Sequence, residues 1–225
     1  IYSLVLNIVS PLNSLLSSVM NVKEMQVVIK RVNDLFKVRE EFKEVDKIVD
    51  GNITFNNVRL CINHKLSDSI NLIIPKSSMY LIYGYSGVGK STILKVLNGE
   101  IENYKGNIYI GGVNIKDINY SVLKKSISFV SQEEKLFNDT LKNNIKLFRD
   151  VTDEEYEKVL KITFVNKIRD SKSFRDDFVI YEDGINLSGG ERQKIILARA
   201  LLKSFNYLII DEGLSEVSFS DEKQI

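Results

Sequence analysis

The sequence predicts an α/β fold: a mixed β-sheet core, an antiparallel β side and a helical region, preceded by an N-terminal helical stretch. Three observations predict it. A glycine-rich run, Gly84-Tyr85-Ser86-Gly87-Val88-Gly89-Lys90-Ser91, stands between an apolar run and a segment of helical periodicity. A second glycine-bearing run, Leu187-Ser188-Gly189-Gly190-Glu191-Arg192-Gln193, precedes the strand-like Tyr207-Leu208-Ile209-Ile210 and the acids Asp211-Glu212. Short apolar strands occupy the first half of the domain, and helical patterning fills the interval between Asp139 and Tyr181.

From the N-terminus, Ile1–Met20 carries no charged residue and has Pro11 in its middle. About 20 apolar residues span a bilayer as a helix. This stretch also holds Asn7, Ser10, Asn13, Ser14, Ser17 and Ser18, which leaves a buried helix of a soluble domain as the other reading. No basic segment precedes it, as a signal peptide requires. Lys23, Lys30, Arg31 and Lys37 follow, as expected on the inner side of a membrane. From Asn21 to Glu44, Val22, Met25, Val28, Ile29, Val32, Leu35 and Phe36 recur at helical spacing. Glu40, Glu41, Glu44 and Asp46 mark a linker, so residues 1–47 form one region and 48–225 the main domain, which starts near Ile48.

Ile53–Ile62, Ile70–Ile74 and Gly106–Ile110 read as strands of the antiparallel side. Ser78-Met79-Tyr80-Leu81-Ile82-Tyr83 reads as a buried strand, and Thr92, Ile93, Leu94, Val96 and Leu97 as the helix after the glycine loop. Asp153, Glu154, Glu155 and Glu157 open a helix in the later region. Ser188 with Glu191 three residues on has the spacing of a capping box at a helix start.

A glycine loop between strand and helix is a phosphate cradle, the P-loop or Walker A pattern. Gly84, Gly87 and Gly89 let the backbone turn where side chains clash, and the amides, including those of Tyr85, Ser86, Val88 and Thr92, point at phosphate oxygens. The helix dipole adds only about 0.3–1 kcal/mol per charge, so the grip comes chiefly from amide hydrogen bonds and Lys90. Lys90 reaches the β- and γ-phosphates and Ser91 ligates Mg²⁺. Ile209-Ile210-Asp211-Glu212 reads as a Walker B strand end, with Asp211 holding Mg²⁺ and Glu212 as the base for the attacking water. A general base contributes about 10²–10⁴-fold in rate.

With both glycine motifs in this order, the chain resembles the nucleotide-binding domain of ABC transporters of the exporter type, in which membrane and ATPase parts share one polypeptide. The resemblance covers nearly the whole chain and is densest from Ile53 to Glu212. It implies a P-loop NTPase with an antiparallel β-subdomain and an α-helical subdomain carrying the signature, and ATP and Mg²⁺ as cofactors. It implies that Ser188, Gly189, Gly190 and Glu191 face the nucleotide of a second, head-to-tail ABC domain, whether homo- or heterodimeric. Phe129-Val130-Ser131-Gln132 matches the Q-loop, which implies Gln132 as a contact to Mg²⁺ and a sensor of the γ-phosphate. Tyr181-Glu182-Asp183-Gly184 sits where exporters meet the coupling helices of their transmembrane domain. Ile1–Met20 looks like the inner half of the last membrane helix, which implies a membrane protein with its ATPase on the cytoplasmic face. The run Leu187–Glu216 looks similar to bacterial peptide and bacteriocin exporters; lipid and drug exporters are the alternative cargo classes.

Three departures from the family pattern stand out. Ile62 takes the place of the aromatic that stacks on adenine, which predicts weak discrimination among bases. Ser218 replaces an aspartate in Ser215-Glu216-Val217-Ser218, a loop that joins the two ATP sites. The sequence stops at Ile225 without a switch histidine after Glu212, and His64 precedes the glycine loop. The expectation is a piece of a longer polypeptide that binds nucleotide with little steady-state hydrolysis.

Composition narrows the partners. Formal net charge is +1, which gives no argument for nucleic acid. One cysteine, Cys61, allows no intramolecular disulfide framework and reads as a strand residue; one histidine excludes a clustered histidine metal site. Two rival functions remain: a soluble ABC ATPase acting on ribosomes or DNA, and a degenerate ABC domain that binds ATP without using it.

Overall fold

The computed structural model describes residues 16–32, 45, 47, 50–62, 65–131, 133–171 and 175–213. The chain divides into two compact units, Ile1–Phe42 and Lys43–Ile225. In the first, 16–32 form helix α1, whose residues are exposed. Val22, Met25, Val28, Ile29 and Val32 lie on it, as their spacing predicts; Leu35 and Phe36 lie outside the described residues. Among the described residues, no helix is long and apolar enough to cross a membrane. Val45 forms a bridge with Ile118 and so belongs to the second unit. Ile48, expected near the start of the main domain, lies outside the described residues.

The second unit opens with an antiparallel sheet. Strand β1 (Ile53–Ile62) lies between β3 (Ile70–Ile74) and β4 (Tyr104–Ile110), with β2 (Lys65–Leu66) at its far end and β5 (Val113–Asn114) beyond β4. The alternation expected of a half-buried strand is visible in β1, where Ile53, Phe55, Val58 and Leu60 are buried. The change of parity between Phe55 and Val58 is a bulge at Asn56–Asn57, with Asn57 at φ 50°. Cys61 pairs with Leu66 as a strand residue. Helices α2 (Lys90–Leu97) and α3 (Tyr120–Ser126) cover this side, and Ile93, Val96, Leu97, Val122 and Leu123 join the strand residues in one apolar core.

Strands β6 (Ile127–Val130) and β9 (Tyr207–Ile210) pair in parallel, in register from Ile127 with Tyr207 to Val130 with Ile210. β6 serves two cores: Ile127 faces the core under the antiparallel sheet, and Val130 faces a second, largely helical one. That second core is built by α4 (Leu141–Lys146), α5 (Asp153–Ile162), α6 (Val165–Ser171) and α7 (Gly189–Leu201), with Leu136 and Ile180. A two-stranded ribbon of β7 (Asp139–Thr140) and β8 (Val179–Ile180) brackets the helices. Helix α5 starts at its acidic run behind a complete capping box of Thr152 and Glu155, worth about 1 kcal/mol.

One expectation fails. Ser78–Tyr83 forms no strand and is not buried: Met79 is 98% exposed, Leu81 84% and Tyr83 88%. An apolar run becomes a central strand only when a neighbour takes up its backbone hydrogen bonds. Among the described residues β6 and β9 pair with each other, and neither pairs with 78–83.

Candidate nucleotide site

The glycine loop keeps its predicted form at the helix end. Helix α2 begins at Lys90, with Gly89 as its N-cap at φ 103°. Gly87 has φ 80°. Both are conformations that side-chain-bearing residues rarely adopt. At Gly89 a Cβ would also collide with the Ile62 side chain, so β1 and the loop meet there with no room to spare. The contact puts Ile62 beside the loop that the sequence assigns to phosphate.

Lys90 folds back under the loop. Its Nζ donates to the Gly84 carbonyl at 2.9 Å and to the Tyr85 carbonyl at 3.0 Å. An ammonium has three donors, and these carbonyls take two of them. The ammonium is thereby held by carbonyls of the glycine loop itself.

Ser91, the next residue, reaches across the fold. Its Oγ donates to Asp211 Oδ1 at 3.0 Å, joining residues 120 apart in sequence. Asp211 is only 9% exposed, and its backbone N–H donates to the Val130 carbonyl at 2.9 Å. The end of β9 is therefore tied to the end of β6, and the carboxylate is presented to the first residues of α2. A hydroxyl and a carboxylate are hard oxygen donors of the kind Mg²⁺ takes. The Ser91 hydroxyl and the Asp211 carboxylate therefore fit a bound Mg²⁺. Glu212 follows at φ 56°, a left-handed backbone that non-glycine residues adopt at a cost of about 1–3 kcal/mol.

The signature run caps α7. Ser188 is the N-cap; its Oγ accepts from the Glu191 N–H, and the Glu191 carboxylate accepts from the Ser188 N–H at 2.8 Å. The capping reading thus holds, and Gly189 and Gly190 open the helix with amides that have no partner one turn earlier. α7 packs against α4, α5, α6 and β6, whereas α2 packs on β1, so the two glycine motifs are carried by different parts of the unit. Glu182–Gly184 forms a single 3₁₀ turn, and the Asp183 N–H donates to the Leu136 carbonyl.

The structure thus brings together Lys90, Ser91, Asp211 and the loop glycines, with Ile62 against them. Gln132, His64 and Ser215–Ser218 lie outside the described residues. Two buried polar residues carry no motif in the sequence: Arg199, 4% exposed on α7, and Asn144, fully buried on α4. A charged residue amid the helical repeat Ile195–Leu202 reads as a solvent face, and only its partners reveal otherwise.

Comparison with known proteins agrees with this geometry. Residues 67–215 match the sequence family described as ABC transporter. The chain is 30% identical to the transport/processing ATP-binding protein ComA of Streptococcus pneumoniae, over 96% of this chain and 31% of that protein. It is 34% identical to the ATP-dependent lipid A-core flippase of Idiomarina loihiensis, over 88% of this chain and 36% of the flippase. It is also 34% identical to the microcin-J25 export ATP-binding/permease protein McjD of Escherichia coli, over 72% of this chain and 28% of McjD. Among solved structures it resembles a bacterial Atm1-family ABC exporter with ATP bound, at TM-score 0.79 and 26% identity, over 91% of this chain and 37% of the exporter. The chain spans about a third of the length of these relatives. Its P-loop NTPase fold, with antiparallel sheet and helical region, is theirs. The chain belongs to the ABC transporter family, and what is described above is its ATP-binding region.

Proposed function

We propose that this chain is the ATP-binding and hydrolysing domain of a longer membrane exporter, most specifically one that exports peptides of the bacteriocin kind, and that hydrolysis is fully expressed only in the full-length protein. The observation that carries the nucleotide reading is the 3.0 Å hydrogen bond between Ser91 and Asp211 at the foot of the loop aimed by Lys90. In this reading the amides of Gly84–Thr92 and the Lys90 ammonium bind the phosphates, and Ser91, Asp211 and Gln132 hold Mg²⁺. Bound Mg²⁺ neutralises phosphate charge and fixes the oxygens of the reacting group. Glu212 accepts the proton of the attacking water. Ile62 packs on the adenine ring without π-stacking. Ser188–Glu191 complete the site of a second, head-to-tail copy or partner domain, since a helix start such as that of α7, opened by Gly189 and Gly190, suits an anion.

The residues divide, in this proposal, into a region up to 47 that continues a transmembrane domain and a nucleotide-binding domain from 48 onward. The relatives support attachment to a membrane part, because this chain aligns with only about a third of each. The ATPase would then sit on the cytoplasmic face of the cell membrane, in contact with coupling helices of its own polypeptide. Peptide cargo is favoured by ComA and McjD, whose names speak of transport/processing and of microcin export. Lipid cargo is the second reading, favoured by the lipid A-core flippases.

The test is ATPase stimulation of the full-length protein reconstituted in liposomes. Peptide export predicts that leader-bearing peptides raise the rate and that lipid A-core does not. Stimulation by lipid A-core alone would replace the peptide reading. An unstimulated protein that neither binds nor hydrolyses ATP would overturn the function itself.

A further inference from the structure

Arg199 is a charged residue inside the helical core, and all of its polar atoms have work. Its Nε donates to the Asn144 carbonyl at 2.8 Å and its Nη2 to Asn144 Oδ1 at 3.1 Å. Its Nη1 donates to Glu134 Oε1 at 3.1 Å and to the Lys135 carbonyl at 2.9 Å. Asn144, in turn, donates to the carbonyls of Phe137, Asp139 and Thr140 and accepts from the Phe137 N–H. One guanidinium therefore ties α7 to α4 and to the segment that leaves β6.

Glu134 is the sensitive end of this tie. It lines a cleft of about 330 Å³ together with Arg149, Arg199 and Lys203, and also a small cavity of about 30 Å³ with Val130, Ser131, Arg192, Gln193 and Gly213. Burial pushes its carboxyl above the ordinary range, and Arg199 pulls the other way. Its backbone N–H donates to the Ser131 carbonyl. Immediately before Ser131, Val130 accepts the Asp211 N–H and packs so closely on Gly213 that a Cβ there would not fit. A continuous set of contacts thus runs from Arg199 through Glu134 and the end of β6 to the residues on either side of Glu212.

We propose that Arg199 is a positioning residue for nucleotide hydrolysis: by holding Glu134 and Lys135 it fixes the end of β6, against which Asp211 and Gly213, and so Glu212, are set. The proposal rests on the ATPase reading above. It assigns Arg199 no contact with the nucleotide. Lysine cannot replace it, because a single ammonium does not bridge four separated acceptors in a fixed fork. Removing the guanidinium leaves the half-buried Glu134 carboxylate free to turn into the cleft.

The test uses the full-length protein with Arg199→Lys, Glu134→Gln and the double variant. ATP turnover is read with nucleotide affinity, and hydrogen–deuterium exchange is followed without nucleotide. We expect each single variant to lower kcat about tenfold or more while KM for ATP stays within about twofold. The double variant should be no worse than the singles, as for residues acting as one unit. Exchange should rise in the peptides holding Val130–Lys135 and Asp211–Gly213 and stay unchanged in α2. A purely stabilising role predicts the reverse: exchange raised throughout, additive losses, and kcat per folded site preserved. Any of these overturns the proposal. Should Arg199→Lys fail to fold, Glu134→Gln decides alone, and a kcat within about twofold of wild type refutes it. A wild-type protein with no ATPase overturns the underlying reading as well; a wild-type ATPase indifferent to Glu134→Gln overturns this inference only.

Discussion

Replacing Gly89 with alanine tests how the loop is built. Two costs can be separated. The backbone at Gly89 has φ 103°, where an L side chain is strained, and such strain costs about 1–3 kcal/mol. The new methyl also meets the far end of the Ile62 side chain, and overpacking of this kind costs typically about 1–3 kcal/mol when the neighbour cannot turn away. Ile62 is half-buried and its contact is through a terminal methyl, so the second cost should fall at the low end, about 1 kcal/mol. If the loop relaxes to escape the strain, the loss appears in nucleotide affinity. Each 1.4 kcal/mol is about tenfold, so the summed cost of about 2–4 kcal/mol in Gly89→Ala should weaken MgATP binding by roughly 30- to 700-fold. Ile62→Ala should restore only the steric share, about fivefold, and leave the backbone share in place. A fluorescent nucleotide titration of both singles and the double variant measures the two shares. Wild-type affinity in Gly89→Ala, or complete recovery in the double variant, would refute the reasoning that backbone conformation shapes the cradle.

Other perturbations reach separate links. Glu212→Gln should bind ATP as the wild type does while turnover in the full-length protein falls about 10²–10⁴-fold, measured by phosphate release. Ile62 offers packing without π-stacking, so ATP should outcompete GTP by less than about tenfold in displacement titrations; Ile62→Tyr should widen the gap by a further factor of about five or more. Arg169 grips Glu157 with two hydrogen bonds, at 2.7 and 3.1 Å, and the hydrogen bond holds the Glu157 carboxyl below its ordinary 4.5. A depressed folded-state value stabilises above 4.5 and is lost as pH falls through the folded value. Glu157→Gln should therefore lower the melting temperature slightly at neutral pH, and the difference should vanish at strongly acid pH. Glu157 is 41% exposed, so the effect belongs with surface pairs, at about 1 kcal/mol or less.

Local patterns carried much of this fold. The alternation in Ile53–Ile62 placed β1, and Thr152 with Glu155 and Ser188 with Glu191 announced the starts of α5 and α7 through capping chemistry that acts within one turn. Lys90, Ser91 and Asp211 were legible because each sits at a fixed offset from glycines or strand ends. What was not legible depends on distant partners. Ser78–Tyr83 has the composition of a core strand, but burial needs a neighbouring strand that no local pattern supplies. Arg199 and Asn144 look like surface polar residues until the turn at Lys135–Thr140 closes over them. The contact of Ile62 with Gly89 likewise arises only when β1 and the loop are folded together.

In the proposed function Ser91 and Asp211 form the magnesium foot of a nucleotide site. Calorimetric titration of ATP, with and without Mg²⁺, into wild-type protein and Asp211→Asn tests it most directly. Asparagine keeps the shape and an acceptor for Ser91 but removes the charge, so the fold should persist. Mg²⁺ should strengthen ATP binding to the wild type, and Asp211→Asn should lose at least about tenfold of that gain, with magnesium-free binding unchanged. An Asp211→Asn protein with undiminished magnesium dependence would contradict it.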